Sequence, residues 1–235
     1  MPIRNQDPFH DPTEGLNPHV NPYVRHIVAH SKDFKTPILY GPSLKDVRGH
    51  WQEQFPSSTP SQVIVEIGSH KGKVLCSMAQ DFPDKGFVGF DITFKRVVET
   101  AKKAESSNLE NLISVLANAK RLDLLFEPNE VDGIIIFFPD PWAKKARQTK
   151  NRLIDEEYVK HIVSILKPGG FFWFKTDHQE YAENTAEWAR IHGLLPTEPT
   201  KTDILGHQYQ SRFEAGFQEK NMPTFEHKWI KSPTR

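Results

Sequence analysis

The feature that most constrains this chain is an alternation that begins at residue 62. Short β-branched and aromatic runs at residues 62–67, 87–92, 112–118, 131–138 and 171–176 read as strands. Between them lie stretches with apolar residues at helical spacing, such as Val74, Leu75, Met78 and Phe82, or Val97, Val98, Ala101 and Ala104. Helices are expected over 73–82, 95–105, 155–166 and 179–192, the third stopping at Lys167-Pro168-Gly169-Gly170. Strands that are apolar at successive positions are buried on both faces, which implies βαβ units and a parallel sheet covered by helices. The rhythm breaks at the C-terminus. Residues 213–220 and 224–230 both look extended around Asn221-Met222-Pro223, so an antiparallel hairpin is expected to close an otherwise parallel, doubly wound α/β sheet.

A length of 235 residues with 37% hydrophobic content suits one such domain over residues 36–235. Residues 1–35 are rich in Pro, His and Asn without a clear period, and read as an arm that is mobile or folds against something else. No run approaches the roughly 20 apolar residues of a membrane span, and the N-terminal residues show no apolar signal region. Cys76 is the only cysteine and falls in an apolar pattern, so we expect a core thiol, no intrachain disulfide and a reducing, cytoplasmic setting. His26 and His30 lack further ligands nearby in sequence, so no metal site is expected.

Ligands of open α/β sheets bind beyond the carboxyl ends of the strands. The expected strands deliver Glu66 and Gly68, then Asp91, Asn118, Asp140 and Thr176-Asp177 to that edge. The loop VEIGSHKGK allows a tight turn at Gly68 and Gly72 but lacks the glycine spacing of a dinucleotide fingerprint. Asp91 follows Gly72 by nineteen residues, about where an acid from the second strand meets a ribose. Together they suggest a nucleoside-bearing cofactor without a pyrophosphate, which S-adenosylmethionine satisfies. Asp140 stands between Pro139 and Pro141, which fix φ on both sides, and Trp142 supplies a flat face beside it. A carboxylate and an indole held rigidly suit a nucleobase. Lys plus Arg equals Asp plus Glu at 30 each, so any polyanion site must come from local clustering. Five of the nine residues from 144 to 152 are cationic (Lys144, Lys145, Arg147, Lys150 and Arg152), and none is acidic.

The segments VIVEIGSHKGK, GFDI, ANA at 117–119, IIIFFPDPWAKKARQTKNR, LKPGGFFWFKTD and SRFE at 211–214 run in the order found in a known family. The chain resembles the bacterial tRNA (guanine-N7-)-methyltransferases. That resemblance implies a Rossmann-like class I methyltransferase fold, S-adenosylmethionine as cofactor, and methylation of guanosine 46 in the variable loop of tRNA. It implies Glu66, Gly68, Asp91, Asn118 and Asp140 as cofactor contacts, with Asp140 also catalytic. Lys144, Asp177, Ser211, Arg212, Phe213 and Glu214 would be substrate contacts, and Lys145, Arg147, Lys150 and Arg152 would touch RNA. The expected partner is tRNA, with no membrane and no metal, and the expected state is a monomer or homodimer. The chain departs from the family pattern in four ways: His70 replaces the middle glycine of the loop, Asp91 replaces the commoner Glu, Ser211 replaces Thr, and the His that often follows the two lysines is missing, with Ala146 and Arg147 in that area. The alternative reading is a non-catalytic RNA-binding protein with a methyltransferase-like fold, with His70 as the lesion; a small-molecule methyltransferase is disfavoured by the basic segment.

Overall fold

A computed structural model describes residues 6–33, 35–57, 59–142, 151–199 and 203–233. The chain divides into two compact units, Met1–Glu127 and Pro128–Arg235.

In the first unit, strands β1 (Ile38–Tyr40), β2 (Val63–Ile67), β3 (Gly86–Asp91) and β4 (Leu112–Leu116) lie in the order β1-β4-β3-β2, and every pairing is parallel. Every residue of β2, β3 and β4 is buried, as a sheet covered on both faces requires. Helix α2 (Lys73–Asp81) connects β2 to β3, and α3 (Phe94–Ser106) connects β3 to β4. α3 buries Val97, Val98, Ala101 and Ala104, the stripe that the spacing assigns to the core. A one-turn helix, α4 (Leu122–Leu125), follows β4.

Part of the arm folds against its neighbours, one of the two forms expected of it. Residues 22–33 form helix α1 (Pro22–Asp33), and Val24 and Ile27 sink into a cluster with Ile38, Phe94, Val97, Val98, Ala101 and Leu116. Val24, Ile27 and Val28 cover little more than one turn, too short a stripe to announce a helix by periodicity, and burial of Val24 and Ile27 against α3 supplies the stability that the local pattern lacks.

In the second unit, β5 (Val131–Phe137) and β6 (Leu166–Thr176) pair in parallel, while β8 (Phe225–Lys231) runs antiparallel to both β6 and the short β7 (Leu194–Pro196), in the order β5-β6-β8-β7. Helix α5 (Glu156–Ile165) is capped by Asp155, whose carboxylate accepts the Tyr158 N–H at 2.9 Å. The expected break at Lys167–Gly170 is a bulge: the register against β5 jumps from Leu166 to Phe171. Helix α6 (Gln179–Ile191) follows β6.

The C-terminal antiparallel pair exists, but one of its strands is not where the sequence pattern puts it. β8 pairs with β7 at 194–196, and residues 212–219 form helix α7 (Arg212–Glu219). The cause is a capping box. Ser211 Oγ accepts the Glu214 N–H at 3.0 Å, and the Glu214 carboxylate accepts the Ser211 N–H at 3.4 Å.

Candidate active site

At the end of β2 the chain turns through Gly68, and the N–H groups of Gly68 and Ser69 both donate to Phe90 O at 2.8 and 2.9 Å. Gly72, at φ +64°, opens α2 where an added Cβ would stand 2.6 Å from Thr100 Cγ2, so only glycine fits. His70 adopts φ +52°, the left-handed conformation that a glycine would take without strain. Its N–H donates to Asp91 Oδ2 at 3.1 Å, and its carbonyl accepts the Thr100 hydroxyl at 3.3 Å. Thus the turn survives the substitution of glycine by histidine.

Two acids face this turn from neighbouring strands. Glu66 lies in a strand with no exposed residue, and burial, with Asp91 as a second cause, pushes its carboxyl up to about 8 against the pull of the Leu75 N–H. Its Oε2 is buried without a hydrogen-bond partner. Burial also raises Asp91, opposed by the nearby Arg96 guanidinium, 3.5 Å from Oδ2. Asp91 Oδ1 accepts the Thr93 N–H at 2.8 Å. Asn118, half-buried and two residues beyond β4, accepts the Lys120 N–H at 3.0 Å.

A buried carboxyl oxygen without a partner asks for one. The space a Cβ would occupy at Gly68 is open to 4 Å. Asp91 keeps acceptor capacity, since a carboxylate offers about four lone-pair sites. These residues fit a ligand bearing an ammonium and a ribose. Cys76, by contrast, is buried core, with burial lifting its thiol to about 11.

In the second unit, β5 leads into Phe138, at φ +52°, whose N–H donates to Lys175 O at 2.8 Å. Asp140 follows on an exposed turn, and its Oδ1 accepts the Trp142 N–H at 2.9 Å. Trp142 is itself in the left-handed region at φ +45°, with its side chain 38% exposed. Asp177 is partly exposed just past β6. Arg212 and Phe213 are exposed on the first turn of α7, and Ser211 caps it.

Two of the residues expected to be contacts are buried. Arg152 is only 6% exposed. Its Nε donates to Pro141 O at 2.8 Å, a second N–H donates to Glu180 at 3.3 Å, and the guanidinium sits 4.9 Å from the centre of the Tyr181 ring. It anchors the Asp140 turn through the Pro141 carbonyl. Sequence clustering missed this because a run of cations does not reveal which member points inward. Glu214 is 9% exposed, and both its oxygens accept from Lys175 Nζ, at 3.0 and 3.1 Å. Lys144, Lys145, Arg147 and Lys150 lie outside the described residues. Among the described residues no group of three or more His, Cys, Asp or Glu gathers as a metal site, and no helix is long and apolar enough to cross a membrane.

Parallel strands with acids at their carboxyl ends and an antiparallel β6-β8-β7 edge are the architecture of class I methyltransferases. The 16S rRNA methyltransferase KamB shares it at a TM-score of 0.55, with 17% identity over 77% of this chain and 92% of that one. A family model described as "Putative methyltransferase" matches residues 60–227, and the chain belongs to that family. Its relatives include the tRNA (guanine-N(7)-)-methyltransferases of Levilactobacillus brevis, 37% identical over 57% of this chain and 60% of that protein, and of Listeria monocytogenes serotype 4a, 31% identical over 78% and 84%. The stretch shared with the first of these thus spans less than two thirds of that relative's length.

Proposed function

We propose that this protein transfers a methyl group from S-adenosylmethionine to N7 of a guanine in tRNA, at position 46 of the variable loop. The observation that carries the reading is Asp140. Its carboxylate is exposed on a turn stiffened by two prolines, closed by the Trp142 N–H and tied down through Pro141 O to the buried Arg152. The names of the relatives supply the substrate class.

S-adenosylmethionine, when bound, supplies an electrophilic methyl group on a sulfonium. Glu66 would hold a donor of that cofactor on its unpaired oxygen, Asp91 its ribose, and Gly68 gives it room. Guanine N7 has an in-plane lone pair and no proton, so the protein needs no general base. Asp140 holds the base and favours the positive charge that grows on guanine as the N–C bond forms and the S–C bond breaks. Asp177 and the 211–213 turn border the base, and Lys144 with Lys145, Arg147 and Lys150 contact the RNA backbone, in a protein of the cytoplasm. Orientation of this kind contributes up to roughly 7–11 kcal/mol of barrier lowering.

The non-catalytic alternative has no support in the names of the relatives, and the loop at His70 keeps its turn. The decisive experiment incubates tRNA with the protein and S-adenosylmethionine, then maps methylated guanine by borohydride and aniline cleavage. Cleavage at position 46 is expected, with turnover lost in Asp140→Ala and strongly reduced in Asp140→Asn. No cleavage, or both variants at wild-type turnover, sinks the reading.

A further inference from the structure

β6 carries the run FFWFKT, and all six residues are buried. A lysine at the fifth position of such a run is a physical anomaly. Replacing a buried ion pair by apolar side chains is often neutral or stabilising, so stability alone does not explain Lys175. Lys175 is 5% exposed, and its contacts go to two separate segments. Its ammonium donates to both oxygens of Glu214 and to Tyr209 O at 3.0 Å. A second acid, Glu226, lies 3.9 Å away but is shared with the Trp173 N–H at 2.7 Å and with Lys228 at 3.1 Å. The backbone carbonyl of the same lysine accepts the Phe138 N–H, two residues before Asp140. The Phe138 ring in turn packs on Phe217 of α7, with centroids 5.5 Å apart.

We propose that Lys175 is a positioning residue of the guanine site, one that locks the Asp140 turn and the capped start of α7 into a single arrangement. With its ammonium anchored on Glu214 and Tyr209 O, Lys175 holds this end of β6 still, and its carbonyl sets where the Pro-Asp-Pro turn leaves the sheet. Its ammonium holds the Glu214 carboxylate while that carboxylate closes the box on Ser211, and so fixes how Ser211, Arg212 and Phe213 are presented. The inference rests on the function proposed above and assigns the specificity geometry of that site to a residue that does not touch substrate.

The test uses the full chain with tRNA and S-adenosylmethionine in three variants: Lys175→Met, Glu214→Gln and the double. In Lys175→Met, kcat/KM for tRNA is expected to fall by on the order of 10- to 100-fold, as a misplacement near 1 Å can cause. The cofactor dissociation constant, read by calorimetry, stays within about twofold, and the double variant loses no more than Glu214→Gln alone, within about twofold, because both act through one carboxylate. Amide exchange speeds up in peptides covering 138–142 and 211–216 together. Wild-type kcat/KM in Lys175→Met, losses that multiply in the double, or unchanged exchange at 138–142 overturns the proposal. Should the single variant unfold around an unpaired Glu214, the double, which buries no charge at these two positions, is compared with Glu214→Gln on the same terms. If the wild-type protein leaves tRNA unmethylated, the function falls, while the exchange measurement still decides whether the brace exists.

Discussion

Glu66 is an acid in a strand that is otherwise apolar, and its environment makes it a pH-dependent element of stability. In the unfolded chain it ionises near 4.5, whereas burial holds the folded carboxyl up to about 8. Between these values the folded protein keeps a proton that the unfolded chain has released. Its contribution is therefore fully present at low pH and is lost as pH rises through that window. Glu66→Gln removes the titration, so its melting temperature is expected to change less than the wild type's between about pH 5 and 8 by scanning calorimetry; a slope as steep as the wild type's contradicts the buried acid. His70 offers a second residue-scale test. A side chain at φ +52° carries strain of about 1 kcal/mol, which glycine relieves at the cost of a more flexible unfolded chain. His70→Gly is expected to raise the melting temperature by roughly 1–3 °C, and a fall would mean that the imidazole makes contacts worth more than the strain. The acids at the strand ends were legible because a polar residue ending an apolar run is conspicuous. The inward turn of Arg152 was not, because burial is decided by contacts with Pro141, Glu180 and Tyr181, the last two far away in sequence.

Among the elements, α7 shows where local signals compete. Phe213, Ala215 and Phe217 alternate like a strand, yet the two phenylalanines are also four apart, as neighbours on a helix are. Ser211-x-x-Glu214 breaks the tie, since the box satisfies two orphan backbone N–H groups that an isolated strand would leave to water. Removing the cap should be felt locally. Ser211→Ala is expected to cost about 1 kcal/mol in urea denaturation and to accelerate amide exchange over 212–215, with Ser211→Thr restoring most of both. An exchange pattern identical to wild type would mean that packing of Phe217 on Phe138, and not the cap, holds the helix. The signal for α7 was therefore present in the sequence, but the two-residue alternation masked it. Three of the four parallel pairings within the two units, by contrast, follow from apolar runs separated by helical stretches, while the fourth uses β1, a three-residue strand too short to show a period.

For the whole molecule, charge balance limits what the proposed RNA binding can look like. With 30 cations against 30 anions there is no global field to attract a polyanion, so affinity must come from a few local contacts. Each phosphate neutralised contributes about −0.7 to −0.9 to the slope of log K against log salt. Substituting Lys144, Lys145, Arg147 or Lys150 by Ala is expected to flatten that slope by about one such increment each in filter-binding titrations. Arg152→Met is expected to leave the slope unchanged while lowering kcat/KM, because its guanidinium holds Pro141. A flattened slope in Arg152→Met would return that residue to the RNA surface. Residue order alone determined the α/β class, the buried strands and the acids at their ends, because short-range periodicity and the rule that ligands sit at strand ends both act along the chain. Tertiary structure alone decided that Lys175 joins Glu214 to the Asp140 turn and that Arg152 faces inward, because those contacts form only when distant segments are brought within hydrogen-bond range and shut off from water.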